Sequence, residues 1–292
     1  MTESGKQAEP TVSQMLAEAR RRFTEAGIED PATDARVLMA GLLDLSATEM
    51  LTRGSDPVGA RLPTVQAAIE RRLSHEPVHR ILGTREFYGL PLSLSAETLE
   101  PRPDTEILVD TMLPYLRDLA RTDGNIHILD VGTGTGAICL ALLSECPDAS
   151  GIGSDISADA LRTARSNGER NGLGDRFETI QSSWFENIRG SFHAIVSNPP
   201  YIASSVIHGL APEVTKFDPA AALDGGQDGL DAYKAIAKDA ARFMQPSGVI
   251  GLEIGYDQRN DVTGIFEAEG FKFLESVKDY GQNDRILVFA LK

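Results

Sequence analysis

The sequence contains only two cysteines in 292 residues, Cys139 and Cys146. Both fall in one predicted helix, two turns apart, which separates them by about 10 Å along the axis and is too far for a disulfide. We expect both to be packed thiols. A catalytic role for either cysteine is therefore not expected.

Basic residues are also scarce, because 28 Lys and Arg stand against 43 Asp and Glu, giving a formal net charge of −15. Proteins that hold long stretches of nucleic acid need a basic surface that releases counterions from phosphates. The local run Arg20-Arg21-Arg22 is interpreted as a solvated helix face. The charge argues against stable nucleic-acid binding, although it leaves a local site open.

No apolar run approaches the length that crosses a bilayer, and residues 1–10 lack the apolar stretch of a signal peptide. We expect residues 1–10 to be a disordered lead-in. We expect the protein to be a cytoplasmic monomer without a membrane partner. With 41% apolar and 24% charged residues, the chain can bury a sizeable core without metals or disulfides.

Residues 11–84 predict a small helical domain. Apolar residues recur at three- and four-residue spacing after Thr11, Pro31 and Pro63, each of which can start a helix. Residues 85–103 change character, with apolar residues around a glycine and a proline, and predict a hairpin linker.

Residues 104–292 predict a second domain, in which short apolar strands alternate with amphipathic helices. Asp104 is expected to cap the first helix. The alternation predicts an α/β fold, a doubly wound seven-stranded and mainly parallel sheet, with the last two strands forming an antiparallel hairpin at one edge. The predicted strands are Ile126–Val131, Ser150–Asp155, Phe177–Gln181, Ala194–Ser197, Val249–Ile254, Phe271–Val277 and Ile286–Leu291. The predicted helices between them are Ala137–Leu143, Ala158–Asn171, Ala232–Met244 and Arg259–Glu269.

A glycine-rich turn follows the first strand of this sheet, from Asp130 through Gly132, Gly134 and Gly136 to Ala137. Such glycines let the backbone approach a ligand closely, and the segment fits the dinucleotide-binding fingerprint. Asp155 closes the next strand, where a carboxylate can accept hydrogen bonds from both ribose hydroxyls. The structural alternatives are a tight turn and a cap for the following helix. Together the motifs favour a ribose-bearing ligand, without distinguishing NAD from S-adenosylmethionine.

The segment Asn198-Pro199-Pro200-Tyr201 follows a strand at the carboxyl edge, where open α/β sheets bind ligands. Each proline removes an N–H, so the loop is stiff and rich in unpaired carbonyl acceptors. Asn198 adds another acceptor, and Tyr201 offers a flat aromatic face. This set suits a planar group that carries an NH2, whereas the structural alternative is a rigid turn with a packed tyrosine. The motif therefore favours methyl transfer from S-adenosylmethionine to a planar nitrogen.

With these motifs the chain resembles the release factor glutamine methyltransferase family, called PrmC or HemK, among the class I methyltransferases. The resemblance also runs through the N-terminal helices and the segments Arg85–Gly89, Pro101–Glu106, Ser183–Phe185 and Asp279–Gly281. One departure is Asp218, where the family often has Glu before the proline. We expect this to affect only a peripheral loop, and we expect Arg102 to lie near the mouth of the active site.

The resemblance implies a cofactor, a substrate and the residues that bind them. The substrate would be the side-chain amide nitrogen N5 of a glutamine in class I peptide chain release factors, which the helical domain would recognise. The cofactor S-adenosylmethionine would be bound by Gly132, Thr133, Gly134, Thr135, Gly136, Asp155, Trp184 and Asn198. Of these, the glycine turn would wrap the methionine part, Asp155 would hold the ribose and Trp184 would lie against the adenine. The acceptor glutamine would be bound by Asn198, Pro199, Pro200 and Tyr201, with Asn198, Pro199 and Tyr201 as the catalytic set.

Two other functions remain open from the residues alone. A nucleic-acid methyltransferase acting on adenine N6 would need the same acceptor loop together with a flipped base. The acidic charge and the small helical domain weigh against it. A nonenzymatic scaffold that only binds S-adenosylmethionine is the other alternative, and the intact acceptor loop argues against it.

The segment His75-Glu76-Pro77-Val78-His79 fits the H-E-x-x-H zinc pattern literally. That pattern binds zinc only as continuous helix, and a proline in its middle opposes helix by roughly 3 kcal/mol. We interpret the segment as the end of the helical domain and predict no metal site.

Overall fold

A computed structural model of the chain describes residues 9–292. Most of the predicted lead-in, residues 1–8, lies outside the described residues. The chain divides into two compact units, one ending at Gly83 and the other running from Thr84 to Lys292. The segment 85–103 thus falls inside the second unit.

The first unit is helical. Thr11 caps its first helix in a capping box with Gln14, and Pro31 opens the second helix, as the sequence predicts. Phe23, Leu38 and Ile69 are fully buried in its core. The helices are α1 (Val12–Glu25), α2 (Pro31–Leu43), α3 (Ala47–Thr52), α4 (Leu62–Leu73) and α5 (Val78–Leu82).

The zinc-like pattern lies across a break between two helices. Helix α4 ends at Leu73, His75 has a positive φ of 72°, and Pro77 is extended before α5 begins. The predicted interruption of the helix is therefore confirmed. In residues 9–292 no cluster of three His, Cys, Asp or Glu side chains is placed to hold a metal ion, and the absence of zinc stays a prediction.

The second unit begins with an antiparallel hairpin of β1 (Thr84–Phe87) and β2 (Leu90–Ser93), followed by α6 (Glu106–Asp123). The predicted cap of α6 by Asp104 is wrong. A short 3-10 turn over Pro103–Thr105 already winds the backbone, so Thr105 occupies the cap position and no side chain caps the helix. The Thr105 hydroxyl bonds elsewhere, in the site described below.

The remaining elements form a seven-stranded sheet covered by helices on both faces. The strand order is β5-β4-β3-β6-β7-β9-β8, parallel from β5 to β7, with β9 antiparallel to both of its neighbours. The predicted fold class and the antiparallel edge hairpin are confirmed. The elements are β3 (Ile126–Val131), α7 (Ala137–Glu145), β4 (Ala149–Asp155), α8 (Ala158–Arg170), β5 (Phe177–Gln181), β6 (Phe192–Ser197), α9 (Ser204–Ile207), α10 (Pro212–Phe217), α11 (Asp231–Ala240), β7 (Met244–Glu253), α12 (Arg259–Ala268), β8 (Phe271–Lys278) and β9 (Asp284–Leu291).

Strand β7 begins earlier than the sequence predicts. Met244, predicted as the end of a helix, is instead the first residue of β7 and pairs with Phe192 of β6. Tertiary pairing thus overrides the helical pattern at this residue. None of the described helices is long and apolar enough to span a bilayer.

The strand order places the site. From β3 the chain continues to β4 on one side, whereas β6 pairs on the other side of β3. Ligands of open α/β sheets bind at such a switch point, outside the carboxyl ends of the strands. The glycine turn after β3 and the loop after β6 therefore lie side by side.

Candidate active site

A cavity of about 200 Å³ lies at this switch point within the second unit. Its wall includes most of the predicted site residues: Gly132, Thr133, Gly134, Thr135, Asp155, Trp184, Asn198, Pro199 and Pro200. Gly136 and Tyr201 are not among its lining residues. The structure thus brings both predicted binding motifs to one cavity and sets two of their residues back from its wall.

The glycine turn forms one wall. Gly132 and Gly134 have positive φ angles of 75° and 55°, and a Cβ on either would meet no atom within 4 Å. The backbone therefore borders open space in a conformation that L side chains rarely adopt. Gly136, with φ 85°, instead precedes α7, where a Cβ would lie 3.0 Å from Leu140 Cδ1.

Asp155 links the glycine turn to the next helix. Its Oδ2 accepts from the Gly134 N–H at 3.0 Å, and its Oδ1 accepts from the Ser157 N–H at 2.9 Å. Burial raises the pKa of this carboxyl. Since a carboxylate oxygen can accept more than one hydrogen bond, both oxygens can still bind hydroxyl groups of a ligand. The local structural role and the predicted binding role are compatible.

Asp130 is fully buried beneath the turn. Its Oδ2 accepts from Thr133 Oγ1 at 2.7 Å and from the Cys139 N–H at 3.3 Å, whereas no atom of residues 9–292 bonds to its Oδ1. Burial raises the pKa of Asp130 to about 7. When ionised, this carboxylate gives the turn a negative potential. S-Adenosylmethionine carries a sulfonium and an ammonium cation, so the open glycine turn and this acid fit it.

Trp184 contributes an aromatic wall in an uncommon backbone conformation. Its φ is 49°, the left-handed region that a bulky residue rarely adopts. The Ser182 hydroxyl donates to the Trp184 carbonyl at 2.9 Å and accepts from the Asn187 N–H at 3.1 Å. These bonds hold a strained residue beside the cavity, which is where such strain accompanies function.

The acceptor loop, Asn198–Tyr201, presents free acceptor oxygens. Asn198 Nδ2 donates to Thr105 Oγ1 at 3.2 Å. Within the described part of the chain, no donor bonds to Asn198 Oδ1 or to the Pro199 carbonyl. Tyr201 is half-buried against the core, and burial raises its pKa to about 12. Two residues that line the cavity therefore each carry an oxygen without a hydrogen-bond donor in the described part of the chain.

Several residues that support this loop have no motif in the sequence. Gln258 donates from Nε2 to the carbonyls of Tyr201 and Gly229, at 3.0 and 3.1 Å, and so fixes the end of the loop. Glu253, at the carboxyl end of β7, accepts from Thr105 Oγ1 at 2.6 Å. The sequence offers a signal for Glu253, because a carboxylate at the end of an apolar strand indicates a site residue. It offers no such signal for Thr105 or Gln258.

The expectation that Asp218 affects only a peripheral loop is wrong. The Asp218 side chain is 2% exposed, and its Oδ2 lies 2.6 Å from Nη2 of Arg102. Arg102 and Pro219 both line the cavity. The ion pair draws the loop inward, because a buried carboxylate needs a cationic or donating partner. Arg102 does lie at the cavity, as expected.

Comparisons with known proteins decide the family. The PrmC N-terminal domain matches residues 14–83, and the methyltransferase small domain matches residues 104–214. A release factor glutamine methyltransferase of Agrobacterium fabrum is 59% identical, over 96% of this chain and 97% of its own length. That of Bradyrhizobium diazoefficiens is 42% identical over 89% of each chain.

The chain belongs to the release factor glutamine methyltransferase family. As a member, it is a methyltransferase that uses S-adenosylmethionine, which confirms the predicted family, enzyme class and cofactor.

Solved structures of lower identity show the same fold. A methyltransferase of Pyrococcus furiosus matches with a TM-score of 0.52 at 18% identity, covering 77% of this chain and 97% of that one. The hMettl16 catalytic domain, solved with an RNA hairpin, matches with a TM-score of 0.57 at 16% identity, covering 74% and 81%. The sheet of the release factor glutamine methyltransferase family is thus a common methyltransferase architecture.

Proposed function

We propose that this enzyme transfers a methyl group from S-adenosylmethionine to the side-chain amide nitrogen N5 of a glutamine in class I peptide chain release factors. The observation that carries the proposal is the pair of free acceptor oxygens, Asn198 Oδ1 and the Pro199 carbonyl. Both residues line the cavity that the glycine turn also lines. Membership in the release factor glutamine methyltransferase family supports the substrate.

The proposed cofactor site consists of the glycine turn, Asp155 and Trp184, with Asn198 at its border. The backbone of Gly132–Gly136 would hold the methionine part, the Asp155 carboxylate the ribose hydroxyls, and the Trp184 ring the adenine. When bound, S-adenosylmethionine supplies an electrophilic methyl group on sulfur.

The proposed catalytic contribution of the acceptor loop is alignment and electrostatic stabilisation. An amide nitrogen is a poor nucleophile, because its lone pair is delocalised into the carbonyl. As a bond forms to that nitrogen it becomes positive, and its hydrogens become stronger donors. Asn198 Oδ1 and the Pro199 carbonyl would then bind the transition state more tightly than the ground state. The proton can leave afterwards, so no histidine or cysteine base is needed.

Pro200 and Tyr201 have supporting roles in this proposal. Pro200 lacks an N–H and keeps the loop stiff. Tyr201 sits behind the wall with its carbonyl held by Gln258, and its ring would support the part of the loop that orients the planar amide. Because burial raises its pKa to about 12, the phenol stays neutral.

The proposal extends to the partner and the setting. The helical unit would recognise the release factor, and stable binding of nucleic acid is disfavoured by the net charge of −15. We further propose that the enzyme works as a monomer. Release factors act in translation, so we place the enzyme in the cytoplasm.

Substitution of Asn198 tests the proposed role of the acceptor loop. Asn198→Ala should lower kcat for release factor at least tenfold while the Kd of S-adenosylmethionine, measured by calorimetry, changes little. Tyr201→Phe should retain more activity than Tyr201→Ala, because the ring face matters more than the hydroxyl. An unchanged kcat in Asn198→Ala would remove the acceptor loop from the chemistry.

A further inference from the structure

Three side chains from separate elements form a hydrogen-bonded relay beneath the acceptor loop. Asn198 Nδ2 donates to Thr105 Oγ1 at 3.2 Å, and Thr105 Oγ1 donates to Glu253 Oε2 at 2.6 Å. Thr105 and Glu253 are 4% and 2% exposed. The bond between Thr105 and Glu253 is therefore buried, and hydrogen bonds are stronger in such surroundings than in water.

The chemistry of the relay fixes its direction. When Glu253 is ionised it only accepts hydrogen bonds, so Thr105 gives its single proton to Glu253. Its remaining lone pairs then face Asn198 and accept from the NH2 end of that amide. This bond holds the NH2 end inward and leaves Oδ1 for the cavity.

The alternative orientation would defeat the site. With the amide reversed, the NH2 of Asn198 would face the NH2 of a substrate amide, so donors would oppose donors. Asparagine has no intrinsic preference between the two orientations, and its hydrogen-bond partners decide. Here the deciding partner is the ionised carboxylate of Glu253 at the far end of the relay.

The surroundings of Glu253 carry opposing charges. Burial raises its pKa to about 7, whereas the Arg285 guanidinium favours the ionised form and Asp104 opposes it. Tyr201 and Tyr233 face it as neutral phenols, and the Tyr233 hydroxyl donates to the Glu253 backbone carbonyl at 2.9 Å. Arg285 is itself paired with Asp279 at 3.0 Å. The carboxylate thus has a cation nearby that does not enter the relay.

We propose that Glu253 and Thr105 are positioning residues that set the orientation of the Asn198 side chain, so that Oδ1 meets the acceptor nitrogen of the substrate. This inference rests on the proposed function, because it assigns a reason for the placement of Asn198. Neither residue needs to take part in the transfer itself.

Thr105 offers a matched pair of variants for kinetics. Thr105→Val keeps the shape and removes the hydroxyl, whereas Thr105→Ser keeps the hydroxyl. With release factor and S-adenosylmethionine, Thr105→Val should lower kcat about tenfold and Thr105→Ser less than threefold, with the KM for release factor nearly unchanged in both. A kcat for Thr105→Val within twofold of wild type, or an equal loss in both variants, would overturn the proposal.

Glu253→Gln provides a second route if Thr105→Val fails to fold. The Gln amide can donate to Thr105 and reverse the relay, so kcat should again fall about tenfold. Glu275→Gln is the control, since Glu275 also accepts a 2.6 Å bond from a hydroxyl, that of Tyr115, in another part of the fold. Equal kcat values in Glu253→Gln and the control would overturn the proposal.

A measurement without substrate separates this proposal from the proposed function. The side-chain NH2 signals of Asn198, identified in an NMR spectrum by their loss in Asn198→Ala, report the relay directly. Their exchange with water should be slow in wild type and Thr105→Ser and at least tenfold faster in Thr105→Val. If exchange is faster in Thr105→Val but the wild-type enzyme does not methylate release factor, the relay is upheld and the proposed function is rejected. If exchange is the same in Thr105→Val and wild type but the wild-type enzyme methylates release factor, the proposed function is upheld and the relay is rejected.

Discussion

Arg102 and Asp218, 116 residues apart in sequence, form an ion pair of 2.6 Å beside the cavity. Asp218 is buried and Arg102 is 41% exposed. Each is followed by a proline. The pair ties the segment before α6 to the loop after α10, and both segments line the cavity. One salt bridge thereby holds two walls of the site together.

Removal of this pair should loosen the site. Asp218→Ala is expected to weaken S-adenosylmethionine binding roughly threefold to tenfold, because the loop that carries Pro219 loses its anchor. Calorimetry measures the change. Asp228→Ala is the matched control, since it removes an ion pair to Lys234 whose side chains are about half exposed, 49% and 50%. Equal effects of the two substitutions would contradict a special role for the Arg102 pair.

Asp155→Ala should weaken S-adenosylmethionine binding at least tenfold. The variant loses the proposed acceptor for the ribose hydroxyls, where charge-assisted hydrogen bonds contribute roughly 1.5–3 kcal/mol. It also loses the bond to the Gly134 N–H that shapes the turn. Asp159→Ala serves as the control, because Asp159 is a partly exposed neighbour that does not line the cavity. Calorimetry that finds equal affinity in wild type and Asp155→Ala would remove Asp155 from the site.

Glu253 should make the folded protein less stable as the pH rises. Its pKa in the folded state is about 7, raised from 4.5 by burial. The folded protein therefore keeps a proton that the unfolded chain has released, and the stabilisation is lost as the pH rises from about 5 through 7. The Tm of wild type relative to Glu253→Gln should fall over this range. A Tm difference that is constant from pH 5 to pH 8 would contradict the raised pKa.

The protein purified without added metal should carry no stoichiometric zinc, and chelators should leave methyl transfer intact. The reason is the break between α4 and α5 at Pro77, which keeps His75 and His79 off a common helix face. Elemental analysis checks the metal content. One zinc per chain, lost in His79→Ala, would show that the two histidines bind metal after all.

The features that the sequence predicted well are local ones. The glycine turn and Asp155 each lie at the end of a strand, and the apolar pattern of that strand shows where it ends. The two strand ends are about twenty residues apart in the sequence. The strand that carries the acceptor loop has the same kind of signal. Alternation of strands and helices then determines that these strand ends meet at one edge.

The features that the sequence missed depend on partners far along the chain. Thr105 bonds to Glu253 across 148 residues and to Asn198 across 93. Asp218 looks like an ordinary loop acid until Arg102 is seen beside it. Asp104 has the residue type of a helix cap, but the turn at Pro103–Thr105 takes the backbone into the helix without one. Side-chain pairing of this kind leaves no periodic signal in a single sequence.

The central claim is methylation of a release factor glutamine, and one competition experiment tests it most directly. The enzyme is incubated with labelled S-adenosylmethionine, an intact class I release factor, a DNA duplex and a single-stranded oligonucleotide, and the products are analysed by fragment mass spectrometry. The account predicts one methyl group on the side-chain amide of one glutamine, and none on the nucleic acids. Label on adenine alone would contradict it.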